Sequence, residues 1–162
     1  MTQSTERATT ERISLKHIIV PTDFSPLGNY AIEMAIEYAK RYDSDILLMH
    51  VMAPYFGGTE ADVMAIPSAY YSRDMMAMLA ERLEEIAVTI REKGVDVETH
   101  LTMGVPFVEV VKLARSKDTD LIVVSTHGRT GLSHAFLGST AERIVRKAPC
   151  PVLTVRPPEP AT

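Results

Sequence analysis

The sequence predicts an α/β fold: a single domain with a doubly wound, five-stranded parallel sheet and helices on both of its faces. Three observations predict it. Short apolar runs rich in β-branched residues alternate with segments of helical period. Most of these runs are continuously apolar, as strands covered on both faces are. The chain has 162 residues, 46% of them hydrophobic, which is enough for one domain with a core but short for two.

The strands are predicted from the apolar runs. Four runs indicate buried strands, at residues 17–20, 46–51, 121–124 and 152–155. A fifth segment, residues 95–103, alternates more and is predicted at the periphery of the sheet. Segments of helical period separate the strands. Because parallel crossovers are right-handed, the resulting order βαβαβαβαβ predicts a doubly wound sheet.

The helices are predicted from apolar stripes and end signals. The first begins after Ser25, an N-cap, with Pro26 at the first helical position, and runs to about Arg41. The second carries an apolar stripe over residues 75–90 and is stopped by Gly94. The remaining two are predicted to begin at Pro106 and at Ser139.

Composition narrows the function classes. The chain has 21 Asp and Glu and 17 Lys and Arg, which gives a formal charge of −4. It therefore lacks the broad basic field typical of nucleic-acid-binding proteins, and no nucleic-acid partner is predicted. The single cysteine, Cys150, has no partner for an internal disulfide. The sequence has no Cys/His cluster with zinc-like spacing, so no structural metal is predicted. Cys150 is interpreted as a packing residue in a reducing compartment.

The ends of the chain are predicted to be tails. Residues 1–14 are polar, carry no apolar segment typical of a secretion signal, and are predicted to be a disordered N-terminal tail. The domain is predicted over residues 15–157, with a C-terminal tail over 158–162. Elsewhere the apolar runs stop far short of the roughly 20 residues that cross a bilayer, so a soluble cytoplasmic protein without a membrane partner is expected. Residues 53–71, irregular and rich in glycine, proline and tyrosine, are either a lid or binding loop or a disordered segment.

A ligand site is predicted at the carboxyl ends of the strands. Doubly wound sheets bind ligands there, where the strand order reverses. The candidate residues follow the first, second and fourth strands and open the last helix: Pro21, Thr22, Asp23, Val51, Ser125, Thr126, His127, Gly128, Gly138, Ser139 and Thr140.

The start of the last helix has two interpretations. Exposed N–H groups at a helix N-terminus favour a phosphate, Gly138 lets the ligand approach the backbone, and the Ser139 and Thr140 hydroxyls add donors. Alternatively, Ser139 and Glu142 form a capping box, which needs no ligand. Spacing alone favours the capping box.

Two segments of the sequence favour the phosphate interpretation over the capping box. VVSTHGRTGLSHAFLGSTAERIVRKAPCPVLTVR and HIIVPTDFSPLGNYAIEMA closely resemble the universal stress protein family, and the resemblance extends over nearly the whole chain beyond the N-terminal tail. The ATP-binding branch of that family carries the pattern G-x2-G-x9-G-[ST]. Gly128 and Gly138-Ser139 match its second half, and Ser125 stands in place of the first glycine. The fold that the resemblance implies is of the adenine nucleotide α-hydrolase-like kind.

The resemblance implies ATP as the ligand, with Mg²⁺ expected beside the phosphates. It places Asp23, with Pro21 and Thr22 before it, by the ribose and phosphates, and Val51 at the adenine through its backbone. It makes Gly128, Gly138, Ser139 and Thr140 the phosphate cradle, with Ser125, His127 and Arg129 as further contacts.

Three of these residues keep a second interpretation. Asp23 precedes a helix and could bond its own turn, although the ligand role is preferred. His127 could contact a phosphate, but a lone histidine at a strand end is more often structural, and it receives no catalytic role. Arg129 contacts phosphate oxygens or is solvated surface, and the sequence does not decide between the two.

A second copy of the chain is the partner that the topology implies. The last strand, Val152–Val155, is predicted at the sheet edge, and a bare apolar edge invites pairing. A two-fold homodimer with these strands antiparallel closes the edge, and the resemblance implies the same assembly. The alternative is an edge covered by the C-terminal tail.

The preferred function is an ATP-binding regulatory module of the stress response that acts as a nucleotide-dependent dimer on an unidentified client protein. The alternative is a nucleotide-independent dimeric interaction protein, for which Ser125 is the best evidence. A slow ATPase ranks last, because the sequence has no P-loop, because no Ser/His/Asp or Cys/His set can be argued from position, and because no candidate base to orient water is identified. The chain is therefore predicted not to be an enzyme, and no catalytic residue is assigned.

Overall fold

Five strands and four helices alternate in the part of the chain that the computed structural model describes, residues 15–53, 73–126 and 138–156. The strands are β1 His17–Pro21, β2 Asp45–Met52, β3 Val97–Met103, β4 Leu121–Ser125 and β5 Val152–Val155. The helices are α1 Pro26–Tyr42, α2 Arg73–Glu92, α3 Pro106–Ser116 and α4 Ser139–Lys147. The predicted tails and all of the 53–71 segment except Ala53 lie outside the described residues.

The five strands form one sheet in the order β3-β2-β1-β4-β5, and every neighbouring pair is parallel. The predicted fold class is therefore confirmed. Strands β2 and β3 lie on one side of β1, and strands β4 and β5 lie on the other. The strand order reverses between β1 and β4, which places the expected ligand crevice beyond the carboxyl ends of these two strands. The strands at the edges are β3 and β5, as predicted.

Helices cover both faces of the sheet. One apolar cluster packs Ile18 and Val20 of β1 against α1 and α2, including Ile36 and Leu83. The other packs Ile19, which points to the opposite face, against α3 and α4. Because successive side chains of β1 and β4 enter different clusters, residues 18–20 and 121–124 are all apolar, which explains the continuous runs in the sequence.

The helix-end signals act as predicted at the start of α1 and at the end of α2. The Ser25 side chain accepts a hydrogen bond from the Gly28 N–H (3.1 Å), and Pro26 occupies the first helical position of α1. At the end of α2, Gly94 has φ +81° and its N–H donates to the Arg91 carbonyl (2.8 Å). A left-handed residue after a helix is most easily glycine, so the stop signal acts as predicted.

Cys150 packs as predicted. It is half-buried against the apolar cluster under α3 and α4. Burial, and secondarily the charge of Asp120, raises the pKa of its thiol above the ordinary value, which keeps it protonated and unreactive. No helix among the described residues is long and apolar enough to cross a membrane.

Candidate functional site

The described candidate residues gather at the carboxyl edge of the sheet. Pro21, Thr22 and Asp23 lie at and after the end of β1, and Ser125 ends the neighbouring strand β4. Val51 lies near the end of β2, on the other side of β1. The start of α4 reaches the same edge, as described below. His127, Gly128 and Arg129 lie outside the described residues, so their predicted contacts stay predictions.

The turn between β1 and α1 is held by its own polar groups. The Thr22 N–H donates to the Met49 carbonyl of β2 (2.8 Å), which continues the sheet ladder by one bond. Thr22 Oγ1 then accepts from the Phe24 N–H (3.1 Å), and Asp23 Oδ1 accepts from the Ser25 N–H (3.0 Å). Asp23 therefore does bond its own turn, as its second interpretation held. The bond orients a half-buried carboxylate at the switch point and leaves the ligand interpretation open.

Gly28 backs this turn from the first turn of α1, and the sequence reasoning missed it. A Cβ at this position would lie 3.1 Å from Asp23 Oδ1 and 3.2 Å from Thr22 Oγ1. The glycine thus lets the helix approach both side chains closely. A glycine early in a helix, where alanine is about 1 kcal/mol better in intrinsic propensity, was the available signal.

His50 connects β2 to the same turn, and it too was missed. Its side chain is buried, and Nδ1 lies 2.7 Å from the Thr22 carbonyl oxygen. Since a carbonyl only accepts, Nδ1 is the donor, and the contact assigns the proton to that nitrogen. The ring also lies against Phe24, with the two ring centroids 4.4 Å apart. A histidine inside an otherwise apolar strand was the signal in the sequence.

Val51 presents its backbone to the crevice. The Met49 carbonyl faces β1, and backbone groups of alternate strand residues face the same side, so the N–H and C=O of Val51 also face that side. The β1–β2 ladder ends with the pair Pro21 and Met49, so no residue of β1 is paired with Val51. An edge of a planar ligand with one donor and one acceptor suits such a pair of backbone groups.

The start of α4 corrects the capping-box interpretation. The helix is capped by the backbone of Gly138, and Ser139 is already its first helical residue, so the Ser139 hydroxyl cannot cap it. The first helical bond runs from the Glu142 N–H to the Gly138 carbonyl (2.9 Å), while the Glu142 carboxylate pairs with Arg146 (3.1 Å). Gly138 supplies no side chain to cap this helix N-terminus. Its first-turn N–H groups therefore lack an intrahelical acceptor, which is the arrangement that binds anions.

One hydrogen bond fixes the start of α4 beside the end of β4. The Gly138 N–H donates to the Thr126 carbonyl (2.7 Å), one residue after β4 ends. Ser139 and Thr140 follow, both exposed, so their hydroxyls are accessible to a ligand. Gly138 has φ −58° and ψ 146°, which any residue can adopt, so the backbone conformation does not require a glycine here.

A metal would need ligands that the described residues do not bring together. In residues 15–53, 73–126 and 138–156, no group of three or more His, Cys, Asp or Glu side chains could hold a metal ion. Asp23, whose Oδ1 accepts from the Ser25 N–H, is the charged acceptor at the end of β1. A divalent cation at this edge would therefore need most of its oxygen ligands from a phosphate ligand and water.

Comparison with known proteins agrees with this architecture. The model of the universal stress protein family matches residues 14–156. Universal stress protein MJ0531 of Methanocaldococcus jannaschii is 35% identical over 146 residues, 89% of this chain and 84% of that protein. The solved structure of MJ0577, from the same archaeon, superimposes with a TM-score of 0.77 at 25% identity, over 91% of this chain and 100% of that one.

A third similar structure is the universal stress protein from Archaeoglobus fulgidus in complex with dAMP. It superimposes with a TM-score of 0.65 at 21% identity, over 90% of this chain and 100% of that one, and this level of identity establishes the shared fold alone. The family match over residues 14–156 and the 35% identical relative go further. Together with the parallel sheet and the segments around Asp23 and Gly138, they show that this chain belongs to the universal stress protein family.

Proposed function

We propose that this protein binds ATP together with Mg²⁺ at the switch point between β1 and β4. The observation that carries the proposal is the N-terminus of α4, which has a glycine as its N-cap and which the Gly138 N–H bonds to the end of β4. Uncapped N–H groups and the positive end of the helix dipole favour a phosphate. The dAMP complex of the Archaeoglobus protein shows an adenine nucleotide held by a protein of this fold.

The described residues fit the three parts of the nucleotide. The N–H groups at the start of α4 and the hydroxyls of Ser139 and Thr140 suit the phosphates. Asp23 suits the ribose hydroxyls, since a carboxylate accepts strong hydrogen bonds. The backbone of Val51 suits the adenine edge, which offers one donor and one acceptor. The Mg²⁺ enters with the phosphates, as it commonly does where protein carboxylates are few.

The proposed role is regulatory rather than catalytic. ATP occupancy would alter how the protein binds an unidentified client protein. The proposed compartment is the cytoplasm, because a chain with one cysteine forms no internal disulfide and needs no oxidising environment. Ser125, half-buried at the end of β4, favours a second candidate, an interaction protein that works without nucleotide, because a side chain stands where the ATP-binding branch has glycine.

Calorimetric titration of Mg²⁺–ATP into nucleotide-free protein tests the proposal. We expect a dissociation constant in the micromolar range or tighter, and about tenfold weaker binding for Asp23→Asn, which loses a charge-assisted hydrogen bond. The asparagine keeps an oxygen for the Ser25 N–H, so the turn itself is preserved. Absence of binding by a folded wild type would leave the nucleotide-independent candidate.

Gly28→Ala should weaken Mg²⁺–ATP binding about threefold to tenfold while leaving the melting temperature unchanged or higher. The added Cβ displaces the Asp23 and Thr22 side chains, because it would otherwise lie 3.1 and 3.2 Å from their oxygens. The better helix propensity of alanine offsets the weakening of the hydrogen bonds that these two side chains make in the turn, so stability does not fall. Asn29→Ala, at an exposed neighbouring position of α1, is the matched control and should leave the affinity unchanged.

We propose further that the protein is a homodimer formed through β5. The Pro151 and Val155 carbonyls accept from the Ile122 and Thr126 N–H groups of β4 (3.1 and 3.0 Å). Backbone groups of alternate residues face the same side, so those of Val152 and Thr154 face away from β4, toward the open edge of the sheet. A second β5, antiparallel across a two-fold axis, would satisfy these groups.

A further inference from the structure

Phe24 adopts a backbone conformation that costs free energy. Its φ is +62°, in the left-handed region that a bulky side chain rarely adopts. Such a conformation persists only where surrounding contacts impose it. Phe24 directly follows Asp23, the carboxylate of the proposed site, so whatever holds Phe24 in this conformation also determines where that carboxylate lies.

An aromatic stack holds the Phe24 ring. The ring is buried, and the imidazole of His50 lies against it at a centroid distance of 4.4 Å and an interplanar angle of 38°. The guanidinium carbon of Arg82, from helix α2, lies 4.7 Å from the centroid of the same ring. A guanidinium at this distance is attracted by the negative face of the ring. Arg82, Phe24 and His50 thus connect α2, the β1–α1 turn and β2.

His50 holds the turn at a second point. While its ring contacts Phe24, its Nδ1 donates to the Thr22 carbonyl (2.7 Å). The residue between these two contacts is Asp23. Its carboxylate is oriented in turn by the Ser25 N–H (3.0 Å). The segment is therefore held at Thr22, at Phe24 and at the Asp23 carboxylate itself.

We propose that the Arg82–Phe24–His50 stack positions Asp23 for the nucleotide, and that Arg82 is a positioning residue that raises ATP affinity through Asp23. The proposal rests on the proposed function. Removing the guanidinium leaves the strained Phe24 backbone with one contact fewer, so the turn samples other conformations and the carboxylate is less often in place.

A double-mutant cycle tests this mechanism. Mg²⁺–ATP affinity is measured for the wild type, Arg82→Met, Asp23→Asn and the double variant. Arg82→Met keeps the apolar stem, and we expect it to weaken binding about fivefold, in line with the loss of one cation–π contact. The double variant should bind no more weakly than Asp23→Asn alone, because Arg82 acts through the carboxylate that this variant has already lost.

Two controls separate positioning from charge. Arg91→Met removes one positive charge from the same helix, at a residue paired with Glu84 instead of Phe24, and should change ATP affinity less than twofold. Arg82→Lys keeps a cation for the ring and should restore most of the affinity. An Arg82→Met effect that persists in full beside Asp23→Asn, or an equal effect of Arg91→Met, would overturn the proposal.

A second measurement does not need the nucleotide. Amide hydrogen exchange at Phe24 and Ser25, whose N–H groups donate to Thr22 Oγ1 and Asp23 Oδ1, reports directly on the turn. We expect about fivefold faster exchange at both amides in Arg82→Met. If the wild type fails to bind ATP, the proposed function fails but the stack is still tested. Unchanged exchange in that variant would show that Arg82 does not hold the turn.

Discussion

Gly138→Asp is expected to abolish measurable ATP binding while leaving the domain at least as stable as the wild type. The wild-type backbone at this position, φ −58° and ψ 146°, is open to aspartate without strain. Aspartate is a good N-cap, and a negative charge at a helix N-terminus is favourable. The new carboxylate would take up the N–H groups that the phosphates need and would repel the phosphates. We expect affinity to fall about a hundredfold or more.

The comparison of binding and melting makes this result interpretable. Calorimetry gives the affinity, and thermal melting should show an unchanged or slightly higher midpoint, since an N-cap aspartate in place of glycine adds a few tenths of a kcal/mol. Gly138→Ala is the matched control, because it adds neither a cap nor a charge and should lose less affinity than the aspartate variant. Wild-type binding by Gly138→Asp would place the phosphates away from α4.

The strands and helices were predictable because their signals are local. Residues 18–20 of β1 and 121–124 of β4 are apolar at every position, since alternate side chains enter the two clusters, and this pattern can be recognised without knowing the packing partners. The start of α1 was equally predictable, because Ser25 caps the helix and Pro26 is its first residue, so both signals are adjacent in sequence to the helix that they begin. Predicted strand bounds differ from observed ones by at most two residues: the ladders of β1, β2 and β4 extend one residue beyond the apolar run, whereas β3 begins at Val97, two residues later than predicted.

The details of the site were less predictable because they depend on distant contacts. The sequence Ser139-Thr140-Ala141-Glu142 fits a capping box, yet Gly138 becomes the N-cap where its N–H bonds Thr126 at the end of β4. The position of Phe24 depends on His50 and Arg82, which are 26 and 58 residues further along the chain. No local pattern encodes such contacts, whereas the family resemblance marks the neighbourhood of Asp23 without explaining how it is held.

Thr154→Pro is expected to convert the proposed dimer to a folded monomer. The Thr154 N–H faces away from β4, so proline removes no bond within the sheet but deletes a donor at the open edge and places a ring there. A two-fold axis repeats the loss in each copy. Two lost hydrogen bonds alone raise the dimer dissociation constant about thirtyfold to a hundredfold, measured by sedimentation across a concentration series.

The opposite edge of the same sheet supplies the matched control. The Asp96 carbonyl accepts from the Ile46 N–H (2.9 Å) and the Gly104 N–H donates to the Met52 carbonyl (3.2 Å), so the even-numbered residues of β3 face β2 and the Thr99 N–H faces outward. Thr99→Pro therefore makes the same change on the other edge and should leave the dimer intact. If Thr99→Pro dissociates the dimer and Thr154→Pro does not, the protein pairs through β3. If neither does, pairing of sheet edges is not what joins the two copies, and the contact lies on the helical faces.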